Sequence, residues 1–430
     1  MIYDKENAKI HNVDNICVTK DQFINFYLAR NYNENMFNID GSINFNYNSQ
    51  KKACIISKIA EDWWDKFSIQ NFDMLKKFRP NAFEEFQKII DCMNKDLGCN
   101  AYSCPNCGEL CFIGNTCKSR LCTSCGYKYK NARVEQILQH AIDCDHRQIV
   151  FTIDDLLRPY FYDFKYMDLL FEAVNLTIDS IVHKSFKRNK NGELISYDIN
   201  ENFKAGFFAF LHTFGRDMKW NPHIHVLIAE KMFNQLTGSS KKLYYFNYDA
   251  LSKRFQKILL DLLLKHGVIS KSLVKRIYNE HRNGFYVYAE KKQFKSIKEG
   301  IEYMARYCGR PCISENRIIN YDGTNVTFCY NAHEDDSYHE VTITALEFIA
   351  LLVRHLIPYH FKTIRYYGFY RKKLPFHDKI RKVVKEEIKK LRNQLLSHRL
   401  SVLSSFNRDP YDCPKCGTKL DFLCIITEGG

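Results

Sequence analysis

Apolar residues follow two periods along this chain. Over 57–95 they recur three and four apart, as in EDWWDKF and AFEEFQKIIDCM, which predicts helix. From 147 onward short apolar runs take over: RQIVFTI (147–153), GFFAFLHTFG (206–215), PHIHVLIA (222–229) and FYVYAE (285–290) read as strands. Helical stretches lie between them at 163–186, 249–266 and 296–308. Strands and helices interspersed in this way predict an α+β fold built on a sheet. The stretch FHDKIRKVVKEEIKKLRNQLLSHRL (376–400) reads as an amphipathic basic helix.

These patterns divide the chain into five parts. Residues 1–55 are polar, rich in Asn and Lys, and predict an extension with little core of its own. A helical segment leads into a cysteine-rich, loop-rich module over 56–135, and the strand-bearing domain covers 140–330. A helical, basic region is expected over 331–405 and a CxxC tail over 406–430. No internal repeat of fixed period and no long low-complexity linker interrupts them.

Composition narrows the partner. The 430 residues carry a net charge of +14, with 45% hydrophobic and 14% aromatic residues, so the chain folds and its excess charge points to a polyanion such as nucleic acid. A basic but otherwise ordinary enzyme is the plain alternative. The first residues, MIYDKENAKIHNVDN, have no apolar leader run. The longest apolar stretch, ALEFIALLVRHLI (345–357), contains Glu347 and Arg354 and does not read as a membrane span. A cytoplasmic location follows as the expectation, and there clustered cysteines are read as metal-bound thiolates before disulfides.

Two knuckles, Cys104-Pro-Asn-Cys107-Gly and Cys122-Thr-Ser-Cys125-Gly, predict a closed structural zinc site. The 17 cysteines placed at random would give on the order of one CxxC in the whole chain, so two with matching glycines are specific. Cys117 stands close enough to exchange as a ligand, and Cys92, Cys99 and Cys111 are also near. A third knuckle, Cys413-Pro-Lys-Cys416-Gly, has no second half nearby and is either a degenerate ribbon or a second metal site with partners elsewhere in the fold.

His223 and His225 in NPHIHVLI share one face of a predicted strand, where both can hold one ion. An HxH is expected about half a time by chance, so the motif alone is weak. His212, in FLHTFG on the preceding strand, is the best third ligand if that strand returns as a hairpin; Asp217 in the connecting loop is less suitable. Downstream, IEYMARYCGRP puts Tyr303 and Tyr307 on one face of a helix. Tyrosine pairs at that spacing are usually core packing, but one chemistry needs all these residues together. A histidine-bound cation polarises a phosphate oxygen, and a tyrosine hydroxylate attacks phosphorus. Two tyrosines then allow two successive transesterifications without an outside nucleophile.

With these residues in place, the chain resembles the rolling-circle transposases of the insertion sequence ninety-one group, members of the HUH endonucleases. The matching stretches are CPNCGELCFIGNTCKSRLCTSCG (104–126), LHTFGRDMKWNPHIHVLI (211–228), IEYMARYCGRPCISENRI (301–318), HLIPYHFKTIRYYGFY (355–370) and CPKCG (413–417). The resemblance implies a ferredoxin-like antiparallel sheet bearing the histidines, with the tyrosine helix packed across it. It implies Mg²⁺ or Mn²⁺ on the histidines and structural Zn²⁺ on the cysteines. It also implies that Tyr303 and Tyr307 cut single-stranded DNA at element ends, leaving a 5′-phosphotyrosine and a free 3′-hydroxyl, before transfer to target DNA. The setting it implies is a bacterial, nucleoid-associated protein.

Two departures stand out: members often carry histidine where this chain has Asn221, and the first 55 or so residues have no counterpart. No GxxxxGK[ST] loop is present, so unwinding is expected to fall to host replication or helicase machinery. Weaker candidates for DNA contact are Arg306 and Arg310 beside the tyrosines, and Arg365, Tyr366 and Tyr367 in IRYYGFY, where stacking beside a cation grips single strands. The rival readings are a plasmid replication initiator or relaxase with the same chemistry, and a non-catalytic zinc-ribbon DNA-binding protein.

Overall fold

The apolar runs FFAFL and VLI lie in two neighbouring strands whose faces are both covered, which is why they read as apolar throughout and not as alternating. The computed structural model describes residues 54–94, 97–142, 144–182, 184–188, 194–198, 202–243, 248–288, 297–305, 311–332, 335–371, 409 and 411–427, with short strands at 2–3, 10–11 and 17–19. The predicted helix 376–400, and Arg306, Tyr307 and Arg310, lie outside the described residues.

In chain order, β1 (Cys17–Thr19) is followed by helices α1 (Ile55–Gln70), α2 (Phe72–Phe78) and α3 (Ala82–Ile90). Strands β2 (Cys99–Ser103) and β3 (Leu110–Gly114) form a hairpin ahead of α4 (Thr123–Leu138). Then come β4 (His146–Thr152), α5 (Met167–Val182), β5 (Phe203–Phe214) and β6 (Trp220–Asn234). They lead to α6 (Tyr248–Lys265), α7 (Lys271–Glu280), β7 (Val287–Tyr288) and α8 (Ile297–Ala305). Strands β8 (Ile318–Tyr321), β9 (Asn325–Asn331) and β10 (Tyr338–Thr344) precede α9 (Ala345–Arg354), β11 (Ile364–Tyr367) and β12 (Asp421–Thr427).

The central sheet runs β7-β4-β6-β5-β11 with every pair antiparallel, giving the α+β architecture the sequence predicts. Side chains alternate between its two faces. Ile224, Val226 and Ile228 of β6, with Phe207, Ala209 and Leu211 of β5, bury one face against α5 and α6. Phe208 and Phe210 of β5 and Leu227 of β6 bury the other against α4 and α8.

Besides this sheet and two two-stranded ribbons, the described residues form a three-stranded and a four-stranded sheet. The sheet β8-β9-β10 packs with α9 onto α1 and α3, where Trp64 stacks on Phe86 with ring centroids 4.1 Å apart. A capping box starts α9: the Thr344 hydroxyl accepts from the Glu347 backbone and the Glu347 carboxylate accepts from the Thr344 backbone. The four-stranded sheet, β1-β12-β2-β3, brings together strands from widely separated parts of the chain.

Arg79 fastens three segments. Its buried guanidinium donates to the carbonyls of Phe78, Tyr162 and Arg354 and lies over the Phe164 ring. Burial lowers its pKa to about 10, which leaves it charged at neutral pH.

One boundary read from the sequence falls within these sheets. The cut at 330/331 passes through β9, which pairs along its whole length with β10, from Asn325 opposite Thr344 to Asn331 opposite Tyr338. Residues 331–371 are therefore part sheet and not all helical, and β11 joins the central sheet beside β5. The segment after 406 ends in β12, paired antiparallel with β2 and parallel with β1.

Candidate active site and thiolate clusters

The β5–β6 hairpin builds the histidine site. Its antiparallel register sets His212 directly opposite His223, and Phe210 opposite His225. His223 and His225 are two apart, so they project to the same face as His212. The ring centroids are separated by 5.2 Å (His212–His223), 4.1 Å (His212–His225) and 5.0 Å (His223–His225). One ring nitrogen from each lies within 4.8 Å of the other two, close enough to share an ion.

Two of the imidazoles have a backbone carbonyl that fixes the proton, as metal-ligating histidines require, and the third has the Gln148 amide. His212 Nε2 donates to the Met304 carbonyl at 3.2 Å, leaving Nδ1 with the lone pair. His223 Nδ1 donates to the Asn221 carbonyl at 2.7 Å, leaving Nε2. That acceptor is backbone, so asparagine at 221 serves it as well as histidine would. Gln148 Nε2 lies 3.1 Å from His225 Nδ1, and a half-turn of the amide brings Oε1 there to hold the proton.

Burial lowers the pKa of all three, to about 4 for His223 and well below the ordinary value for His212 and His225, whose histidine neighbours depress them further. At neutral pH they are neutral donors, the form a cation needs. Asn221 Oδ1, buried and without a protein partner, adds an unsatisfied oxygen on the same strand. The donor set fits a divalent ion.

Helix α8 crosses the histidine face of the sheet. Its Ile301 and Met304 are buried there and Tyr303 is half-buried against the same cluster. The residue next to Tyr303 is Met304, whose carbonyl accepts from His212.

The cysteines do not assemble as the knuckle spacing predicts. Cys104 and Cys107 do not meet Cys122 and Cys125. Instead Cys122 and Cys125 gather with Cys92 and Cys117, while Cys104 and Cys107 gather with Cys413 and Cys416. The reason is topological. The first knuckle sits at the tip of the β2–β3 hairpin, the second opens α4, and β3 separates them. In the first group Cys92 Sγ lies 3.8 Å from Cys122 Sγ and 3.6 Å from Cys125 Sγ. Bonds of about 2.3 Å from a tetrahedral zinc would set sulfurs about 3.8 Å apart, so this geometry fits. Contacts from Cys117, Cys122 and Cys125 favour the Cys92 thiolate, whereas Cys122, crowded first by Cys117, holds its proton. A cation lets all four ionise. Cys99 and Cys111 are buried, Cys99 paired in β2 opposite Gly114 and Cys111 in β3 opposite Tyr102.

The aromatic stretch of β11, which pairs beside β5, is built into the core. Arg365 pairs with Asp168 and lies 3.9 Å over the Phe171 ring. Tyr367 stacks on Phe207 at 4.8 Å, and Tyr366 meets Phe208 edge-on at 5.4 Å. Sequence reasoning missed Gln148, which has no spacing signal, and His355, buried between Thr213 Oγ1 at 3.1 Å and the Met218 carbonyl at 2.9 Å.

Comparisons with known proteins agree with this architecture. Residues 206–375 match the family described as "Putative transposase", and residues 59–153 match the "Transposase zinc-binding domain". The chain is 26% identical over 363 residues to the transposase for insertion sequence element IS801 of Pseudomonas savastanoi pv. phaseolicola, covering 80% of this chain and 84% of that protein. It is 25% identical over 298 residues to "Putative transposase y4qJ" of Sinorhizobium fredii (strain NBRC 101917 / NGR234), covering 65% and 71%. No solved structure matches. A sheet domain of the transposase kind joined to a zinc-binding module defines the class of this protein as a transposase. It belongs to the insertion sequence ninety-one family. Among the described residues no helix is long and apolar enough to cross a membrane.

Proposed function

We propose that this transposase cuts and transfers single-stranded DNA as an HUH endonuclease, with Tyr303 and Tyr307 as nucleophiles and His212, His223 and His225 as ligands of a divalent ion. The observation that carries this reading is the hydrogen bond from His212 to the carbonyl of Met304, which ties the histidine site to the helix bearing Tyr303. Mn²⁺ suits three imidazoles better than Mg²⁺, which prefers oxygen donors. When bound, such an ion supplies Lewis-acid polarisation of a phosphate oxygen.

The chain's own residues do the rest. The Tyr303 hydroxyl gives up its proton and its oxygen attacks phosphorus. The bond from phosphorus to the 3′ oxygen breaks, that oxygen takes up a proton, and the 5′ phosphate stays esterified to tyrosine. The reverse step, with the 3′-hydroxyl of target DNA as nucleophile, transfers the strand. Tyr307, outside the described residues and four positions after Tyr303 in the sequence, serves as the second nucleophile. Structural zinc is held by Cys92, Cys117, Cys122 and Cys125, and unwinding falls to host machinery.

Incubating the protein with single-stranded element-end oligonucleotides and Mn²⁺ tests this reading. A covalent protein–DNA adduct is expected, reduced in Tyr303→Phe and Tyr307→Phe separately and absent in the double variant and in His223→Ala. No adduct with the unaltered protein, or undiminished adduct in the double tyrosine variant, sinks it.

A further inference from the structure

Cys104, Cys107, Cys413 and Cys416 lie outside everything the proposed chemistry uses, and the last two fall beyond both matched family regions. Cys104 Sγ is 3.4 Å from Cys416 Sγ, and Cys107 Sγ is 3.7 Å from Cys413 Sγ and 3.6 Å from Cys416 Sγ. All four sulfurs are within 4.8 Å of one another, near the edge length of about 3.8 Å of a tetrahedral zinc–thiolate site.

The two halves repeat one local structure. In CPNCG the Gly108 amide donates to the Cys104 carbonyl at 3.0 Å and the Cys104 amide to the Glu109 carbonyl at 2.8 Å. In CPKCG the Gly417 amide donates to the Cys413 carbonyl at 2.9 Å and the Cys413 amide to the Thr418 carbonyl at 2.8 Å. Gly108 and Gly417 both take positive φ, +69° and +75°, as a chain turning under an ion requires. Each knuckle sits at the end of a strand of one sheet: the first closes the β2–β3 hairpin, and the second leads into β12, which pairs with β2. Tyr102 meets Tyr411 and Phe422 at centroid distances of 5.8 and 5.6 Å, and Lys415 pairs with Glu109 at 3.6 Å.

We infer that these four cysteines bind a zinc ion of their own, in a ribbon whose two knuckles are 306 positions or more apart in the chain, so that the zinc-binding module is completed by the C-terminal segment. The ribbon is separate from the Cys92 cluster and from the histidine site. Its metal closes a loop containing the whole central sheet.

Two measurements on the full-length protein test this inference. In cobalt-loaded protein, thiolate-to-metal charge transfer counts thiolate-bound ions without contribution from the histidines. The absorption should fall by about half in Cys413→Ser/Cys416→Ser and by the same half in Cys104→Ser/Cys107→Ser, and combining all four substitutions should remove no more. An unchanged absorption in the first variant, or additive losses, overturns the site. The Cys92 cluster reports separately, because Cys92→Ser/Cys117→Ser should remove the other half. Alkylation of the unaltered protein needs no variant. Cys416 is exposed, yet in zinc-loaded protein it should resist iodoacetamide and become reactive only after chelation. Ready alkylation of Cys416 with zinc bound overturns the inference even if the serine variants fail to fold.

Discussion

His212 and His223 are register partners across the central hairpin, with ring centroids 5.2 Å apart, although eleven positions separate them in the chain. The short turn between β5 and β6 determines which residue faces which, so the third histidine is placed by pairing and not by sequence proximity. His212→Ala should therefore weaken Mn²⁺ binding as severely as His223→Ala, and both should lose adduct formation. Calorimetric titration with Mn²⁺ checks this, and full affinity in His212→Ala would show that a different group completes the site.

Gln148 extends the site one layer outward. Gln148→Ala removes the group that orients His225 without removing a ligand. Mn²⁺ affinity is expected to drop by roughly 10- to 100-fold while the thermal melt of the metal-free protein changes little. Unchanged affinity would count against an orienting role.

His355 gives a pH dependence. Burial lowers its pKa to about 4, from about 6.5 in an unfolded chain, so between those values the unfolded state binds the extra proton. Stability from this group is full above about pH 6.5 and is lost as pH falls toward 4, to a total on the order of 3 kcal/mol. Denaturant melts from pH 7 to 4.5 should show His355→Gln less acid-sensitive than the unaltered protein. Parallel slopes would mean His355 is not a source of the loss.

Gly368 is predicted to tolerate no side chain. Its φ is +56°, and a Cβ there would stand 1.5 Å from the Ala205 carbonyl oxygen at the start of β5. Gly368→Ala should cost about 3 kcal/mol or more, because the obstacle is backbone of the central sheet. A melt within a degree of the unaltered protein would refute this.

Arg365 tests packing against DNA contact. Its ion pair with Asp168 and its place over Phe171 predict that Arg365→Ala lowers stability by about 1–2 kcal/mol. The salt dependence of single-strand binding should stay as it was. A shallower salt slope would instead place Arg365 on the phosphate backbone.

What could be read in the sequence was the local part. Apolar runs predicted β4, β5 and β6 to within a few residues, since burial on both faces leaves continuous apolar stretches. His223 and His225 were visible because a strand's period puts them on one face. His212 followed only if a hairpin was assumed. The small sheet β8-β9-β10 escaped notice because its strands carry polar, exposed residues such as Asn320, Glu340 and Thr344. The cysteine partnerships were illegible for another reason. Spacing pairs thiols near in sequence, whereas Cys92 joins its group through the end of α3, and Cys413 and Cys416 join theirs through strand pairing of β12 with β2.

The placement of β12 inside its sheet has a consequence for biosynthesis. Cys104 leaves the ribosome 312 positions before Cys416, and β2 waits as long for its neighbour. The zinc-binding module, early to emerge, is therefore among the last parts of the chain to be finished. A nascent or truncated polypeptide lacking β12 carries an open β2 edge and two knuckle thiols without their partners, the kind of exposed edge that invites pairing with other chains.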